Sequence, residues 1–494
     1  MALDDRIPPN PRMLIQALRS IGYSLEQAVA DIIDNSISAK SRNVLVRLVR
    51  TDEAIEQVLI VDDGTGMSER RLHEAMRFGA DTEKSLESLS KFGMGLKLAS
   101  LSQATELTVG TRNAGIASGR RWTVESISDD WRCDMVPRPE ITRLLKGSWG
   151  PVDVSRNGTV VAWSGLDRIR VGKGGLDATI KRLMDRLRLH LGLHFHRFLE
   201  DKRIRIWLDS QQAGAEPNDV RFEVEALNPF SYDRSGDPDY PRAFPLDLGD
   251  LGELIMEAHV WPANSTERTY KLDSAANRQG FYFYRNDRLI QAGGWNDIRD
   301  TEPHSSLARV VIDLPPKLDS HFSLDVQKSS IKAPPVFTTA LRNAVDGRKT
   351  KFSEYLKTAQ SIYRKQERAN PDNFPLVPVD GLPAYLRDNL RETLAPNERR
   401  VRQVRFEWAD IEGGDFFEID REGLVIRLNR TYRNRVLGNR RPSAADAPLL
   451  KVLLFLLLQE DLDSGRVSRK QREWLDTCNR ALAHAMKVLR TDDS

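Results

Sequence analysis

Three stretches decide how this chain folds: Asp31–Ala39 reads DIIDNSISA, Asp62–Met67 reads DDGTGM, and Phe92–Ser100 reads FGMGLKLAS. The first belongs to a helix. Ser24 with Gln27 three residues on makes a capping box. Leu25, Ala28, Val29, Ile32, Ile33 and Ile37 recur at helical spacing, so one stripe is buried. Gln27, Asp31, Asn35 and Ser38 fall on another stripe, where a carboxylate and an amide one turn apart can face one bound ion or water. Taken alone, this is also an ordinary amphipathic helix. The second stretch ends the strand-like run Val58–Val61 in Asp and alternating glycines. A planar ligand can lie against such a bare backbone while the carboxylate accepts from an exocyclic amine. DDGTG alone also reads as a hairpin turn. In the third stretch two glycines lead into a helix, whose free N–H groups can bind phosphate, and Lys97 adds positive charge one turn in. Alone it is also a glycine-capped helix start. The polar segment Gly79–Ser90 before it reads as a lid.

Occurring together and in this order, with Gly158-Thr159 on a later strand, the three stretches resemble the nucleotide-binding boxes of the GHKL ATPase superfamily: gyrase, large heat-shock chaperones, histidine kinases, MutL and MORC proteins. The lysine inside the third box is most similar to the MORC and MutL-like branches. The resemblance spans about residues 12–165 and implies an α/β fold, a two-layer sandwich with a mixed sheet. It implies ATP and Mg²⁺ as cofactors. Asn35 matches the magnesium ligand, and Asp31 stands where the family carries the Glu that deprotonates the attacking water. A carboxylate one methylene shorter reaches an in-line water less well, so slow hydrolysis is expected. Ser38 replaces the usual Asp, and Ala39 matches a small residue that leaves room for the base. Asp62 matches the acceptor of the adenine amine, with Gly64, Gly66 and Met67 as the pocket floor and Thr159 on the strand behind. Gly93, Met94, Gly95 and Leu96 match the phosphate cradle, with Lys97 as a point charge on it. No GxxxxGK[ST] motif occurs, so this is not a Walker fold.

Further along, Gly280–Ile290 (GFYFYRNDRLI) reads as a hairpin with an Asn-Asp turn and resembles a strand–turn–strand of the transducer domain in MORC and MutL-like proteins. That implies a homodimer closed by ATP. Gln327-Lys328 resembles the transducer loop that presents a lysine to the terminal phosphate, which makes Lys328 a catalytic candidate and Lys332 its competitor.

The 494 residues suffice for about three domains. The expected division is 1–165 for nucleotide binding, 166–335 for a transducer-like α/β domain, 336–370 for a helical connector, 371–383 for a Pro-rich linker and 384–494 for an α+β region. Strands are expected at Ile204–Leu208, Leu254–Trp261, Gly280–Tyr284 and Val310–Leu314. A 40% hydrophobic content excludes a wholly disordered chain, and a net charge of +3 advertises neither nucleic acid nor membrane. Two cysteines, Cys133 and Cys478, cannot form a disulfide framework or a four-cysteine zinc site, which fits a reducing cytosol. The acidic, Pro-rich start reads against a signal peptide, and the longest apolar run, Leu449–Leu458, is too short to span a bilayer. A cytoplasmic location without membrane partners is the expectation. His190, His194 and His196 read as a packed or surface helix rather than a metal site, and Val452–Leu458 as a buried core helix, with an oligomer contact as the alternative. Arg427–Arg441 holds six arginines and no acid, weighed as a phosphate-binding surface against a solvated face balanced by the acid-rich Asp410–Glu422. The resulting reading is an ATP-driven clamp or remodelling ATPase, with DNA the leading macromolecule and phage defence an analogy. A nucleotide-sensing scaffold with negligible hydrolysis is the alternative.

Overall fold

The helix that carries DIIDNSISA starts where its capping box predicts. Ser24 accepts from the Gln27 amide, and the Gln27 side chain accepts from the Ser24 amide. In this computed structural model, which describes residues 10–20, 22–78, 95–215, 220–263, 265–272, 274, 277–324, 331–369, 374–396, 398, 400–438, 440–463 and 469–488, the chain divides into two units, 1–363 and 364–494.

Among the described residues, the first unit contains two large sheets and a two-stranded one. The larger is built from β1 (Asn43–Arg50), β2 (Ile55–Asp62), β3 (Glu106–Asn113), β4 (Ile116–Thr123), β5 (Asp134–Met135), β6 (Gly158–Ser164), β7 (Arg205–Gln212) and β8 (Phe222–Glu223). Their order is β5-β4-β3-β6-β2-β1-β7-β8, antiparallel except for the parallel pair β1–β7. This is the mixed sheet expected. Helices α1 (Pro11–Arg19), α2 (Leu25–Ser38), α3 (Glu69–Met76), α4 (Gly95–Gln103), α5 (Val124–Asp130), α6 (Arg138–Leu145), α7 (Gly175–His194) and α8 (His196–Glu200) surround it. One face of α2 enters the core through Ala28, Val29, Ile32 and Ile33, against Val44, Val46, Val58 and Ile60 of β1 and β2 and Leu98 and Leu101 of α4. Burying such a face, at about 1.5–3 kcal/mol per large aliphatic side chain, is what holds the helix on the sheet. The layer runs past residue 165: α7 contributes Leu183, Leu187 and Leu191 to the same core, and β7 pairs with β1 from Asn43 to Arg50. A boundary at 165 therefore falls inside this layer, because a parallel partner for β1 requires a long crossover that returns from far along the chain.

The second sheet, β12-β11-β13-β10-β9, consists of β9 (Arg242–Asp247), β10 (Glu253–Val260), β11 (Gly280–Arg285), β12 (Arg288–Ala292) and β13 (Ala308–Asp313). Each strand expected in this region is present. The β11–β12 hairpin turns through Asn286 and Asp287, both at positive φ (48° and 64°), the conformation that a two-residue turn of this kind requires. The short helix α9 (Arg268–Lys271) and the two-stranded pair β14 (Ser323–Leu324) and β15 (Ile331–Lys332) complete the region with α10 (Pro335–Asn343) and α11 (Phe352–Ala369). Phe337, Leu341, Phe352 and Tyr355 from these last two helices share a core with Phe244, Phe281 and Phe283 of the sheet. The residues expected as a connector, 336–370, are thus packed structure over that part. At the junction of the two sheets, Leu193 of α7 and Leu227 pack with Tyr282, Tyr284 and Leu289.

The unit 364–494 has a four-stranded sheet in the order β16-β17-β19-β18: β16 (Leu376–Asp380), β17 (Arg402–Ala409), β18 (Phe417–Asp420) and β19 (Val425–Asn429). Helices α12 (Ala384–Leu394), α13 (Arg433–Leu437), α14 (Pro448–Asp463) and α15 (Arg469–Val488) accompany it. The proline-rich stretch 371–383 includes β16; Pro378 is tolerated because β16 is an edge strand with a free amide side. The apolar helix α14 is buried on one side only. Leu454, Phe455, Leu458 and Leu462 enter the core, whereas Leu449, Leu453, Leu456 and Leu457 are exposed. The described residues contain no helix long and apolar enough to cross a membrane.

Candidate functional site

The functional candidates meet where α2, the end of β2 and the start of α4 come together. Asp62 is the last residue of β2 and is buried. Its Oδ1 accepts from the Gly64 amide at 2.9 Å and its Oδ2 from the Ser36 hydroxyl at 3.1 Å. Burial outweighs both hydrogen bonds and pushes its carboxyl up to about 6. Asp63 does different work. It accepts from the Ser41 hydroxyl and from the Arg42 and Asn43 amides on one oxygen, and from the Asn43 side chain on the other. One aspartate of the DD pair therefore ties the α2–β1 turn, and the other is kept for the site.

Two glycines of DDGTGM are sterically required. A Cβ at Gly64 would stand 2.8 Å from both the Ala39 Cβ and Asp62 Oδ1. At Gly66, where φ is +64°, it would stand 1.9 Å from the Arg112 carbonyl oxygen. Ala39 caps the C-terminus of α2, and its carbonyl accepts from the Thr65 amide at 3.0 Å. The room that a small residue leaves at 39 is taken by the approach of the DDGTGM turn. Thr159 lies directly opposite Asp62 across β2–β6. Its hydroxyl is 3.3 Å from that of Thr111, which also accepts from the Met67 amide at 2.9 Å and donates to the Gly158 carbonyl. Asp62, Gly64, Gly66, Met67 and Thr159 are thus brought together.

On α2, Asp31 is buried, and its Oδ2 accepts from the Tyr23 hydroxyl at 3.1 Å. A Cβ at Gly95, the first residue of α4, would lie 3.7 Å from that oxygen, so the carboxylate faces the start of the glycine-led helix. Tyr23 is held in turn by α4, because Gln103 donates to its carbonyl at 3.0 Å. The half-buried Asn35 donates from Nδ2 to the Asp31 carbonyl at 3.1 Å, which leaves Oδ1 as its oxygen end. Asp34, between them in sequence, is fully buried and ion-paired to Arg288 of β12, Nε to Oδ1 at 3.1 Å. Ser38 donates to the Asp34 carbonyl within the helix, and Leu96 is half-buried. Lys97 is buried, with its ammonium donating to the Ala75 carbonyl at the end of α3, 2.9 Å away. Gly93, Met94 and Lys328 lie outside the described residues; Lys332 is exposed on β15.

An adenine nucleotide with Mg²⁺ suits this donor set. A buried carboxylate stands at the end of β2 beside the close-packed glycine turn, and an amide oxygen and a carboxylate on α2 are the hard donors that Mg²⁺ prefers. Bound there, the nucleotide would supply the phosphoanhydride and the cation its charge neutralisation. Asp62 would hold the base end, Asn35 the metal, and the α4 start the phosphates.

Sequence reasoning missed Tyr23, Ser36, Thr111 and Arg288. Ser36 stands inside DIIDNSISA but off the polar stripe, and the other three carry no local signal. The arginines of 427–441 are largely engaged within their own unit. Arg427 pairs with Glu407 and Asp420, Arg430 with Asp410, and Arg433 with Asp446, while Arg435 donates to the Met486 carbonyl. Asp410 and Asp420 belong to the acidic stretch weighed as their balance. Arg440 and Arg441 are exposed.

Comparison with known proteins gives a match over residues 23–150 to the family model described as histidine kinase-, DNA gyrase B-, and HSP90-like ATPase. No curated protein matches the chain. Among solved structures, the N-terminal domain of a DNA repair protein superposes with a TM-score of 0.40 at 16% identity, covering 72% of this chain and 99% of that one.

Proposed function

From the premise that residues 23–150 form a histidine kinase-, gyrase B- and HSP90-like ATPase domain, we propose that the chain is an ATP-driven clamp: Mg·ATP closes a homodimer and hydrolysis reopens it. The observation that carries this reading is the approach of the Asp31 carboxylate to Gly95 at the α4 start, which puts a proton acceptor beside helix N–H groups suited to phosphate. Asp31 takes a proton from water, Asn35 holds Mg²⁺, Asp62 receives the adenine amine, and Lys97 adds positive charge behind the cradle. Lys328 is the proposed contact to the terminal phosphate. DNA is the proposed macromolecule, by family analogy alone.

Asp31→Ala tests the reading in the full chain. Phosphate release should vanish while ATP affinity stays within about 1 kcal/mol, because a general base acts in the transition state. Unchanged release would remove Asp31 from that role. Wild-type release that rises with protein concentration supports dimer gating.

A second reading, a nucleotide-sensing scaffold with negligible turnover, is favoured by the Tyr23 hydroxyl on Asp31 Oδ2, which engages one oxygen of an already short side chain. Tight ATP binding without phosphate release at any concentration would select it.

A further inference from the structure

Asp34 sits between the two polar residues of α2 that face the nucleotide site, yet its carboxylate is fully buried and directed elsewhere. It accepts from Arg288, 254 residues away at the first position of β12. Arg288 is buried as well. Besides Asp34, its guanidinium donates to the Leu289 carbonyl at 2.7 Å and to the His194 carbonyl at 3.4 Å, and stands 4.2 Å over the Phe195 ring. The same corner is closed from the other side, where the His194 ring nitrogen meets the Leu289 carbonyl at 2.7 Å. One side chain thus joins three elements: α2, the C-terminal end of α7, and β12 of the second sheet.

A buried ion pair is a poor source of net stability, since desolvation offsets its attraction, but it is selective about geometry. The planar guanidinium fixes direction as well as distance. The neighbours of the fixed point are informative: Asn35 is the next residue, and its amide is bonded to the carbonyl of Asp31. A shift of β12 against α2 would therefore be felt first in the turn that carries both groups.

We propose that Arg288 is a positioning residue for the nucleotide reaction, acting through Asp34 to hold the α2 turn that presents Asp31 and Asn35. This rests on the ATPase reading. It makes the second sheet part of the site's geometry without touching nucleotide.

The test uses the full chain with Arg288→Met, Arg288→Lys, Asp34→Asn and the Asp34→Asn/Arg288→Met double variant. Thermal unfolding, binding of a fluorescent ATP analogue with and without Mg²⁺, and phosphate release are measured on each. Positioning predicts that kcat falls by about tenfold or more in Arg288→Met while nucleotide binding without Mg²⁺ stays within about threefold of wild type. It also predicts that Mg²⁺ no longer tightens nucleotide binding, and that the double variant is no worse than the worse single one. If Arg288→Met unfolds, Arg288→Lys carries the test, since it keeps the charge and loses the fork; the same split is required. A folded variant with wild-type kcat and an intact Mg²⁺ effect overturns the proposal, as do single losses that multiply in the double variant. Should the wild type bind Mg·ATP without turnover, the Mg²⁺ effect on binding alone decides. Failure of the wild type to bind Mg·ATP would refute the ATPase reading itself, and the positioning role with it.

Discussion

Asp62 is a carboxylate that the fold holds at a cost. Its carboxyl, pushed up to about 6 from 3.8, binds a proton more readily folded than unfolded. The contribution is fully present below about pH 4 and is lost as pH rises through about 6, a loss of about 3 kcal/mol. An adenine amine at the proposed site would reverse the preference, because the ionised carboxylate is the better acceptor for it. ATP affinity should therefore fall as pH drops from 7 to 5, approaching tenfold per unit. ATP itself titrates in this range, so the measured quantity is the ratio of wild-type affinity to that of Asp62→Asn. A ratio that stays flat across the range would remove Asp62 from adenine recognition. The position of this aspartate was legible in sequence, at a strand end before alternating glycines. The separate job of Asp63 was not, since which of two adjacent carboxylates turns inward depends on the amides of Arg42 and Asn43 from another turn.

Among elements, the turn from β2 to α3 is tightly constrained. Gly66 combines a left-handed backbone with a Cβ position 1.9 Å from the Arg112 carbonyl at the end of β3, and backbone does not yield as a side chain does. Gly66→Ala should cost at least about 3 kcal/mol in urea unfolding, whereas Gly115→Ala, also left-handed but with nothing within 4 Å, should cost about 1 kcal/mol. Equal costs would mean that the turn relaxes away from β3. Elements were readable to the extent that local pattern decides them. The capping box and apolar spacing of α2, the β11–β12 hairpin and the strand β10 are written in adjacent residues. The strand β16 was hidden because Pro378 and the prolines around it read as linker, and its edge position makes Pro378 acceptable. Within α14, Val452–Leu458 read as a buried core helix, since leucines on every side carry no period to show which face is covered.

At the scale of the whole molecule, residues 1–363 and 364–494 each have a core of their own. A chain ending at residue 363 should fold cooperatively and bind ATP within about threefold of the full chain, as nearest-neighbour packing within a unit sets its stability. Loss of nucleotide binding on that truncation would place an essential contribution after residue 363. A chain ending at residue 165 should behave otherwise, because it lacks the strand that covers β1 along its full length. That parallel pairing also sets a schedule for synthesis. The ribosome adds roughly 5–20 residues each second, so β1 emerges on the order of 10–30 s before β7 exists to pair with it. Throughout that interval the nascent chain displays an open edge of Val44, Leu45, Val46 and Leu48. Folding chaperones that cover exposed strand edges would act on this protein during that interval.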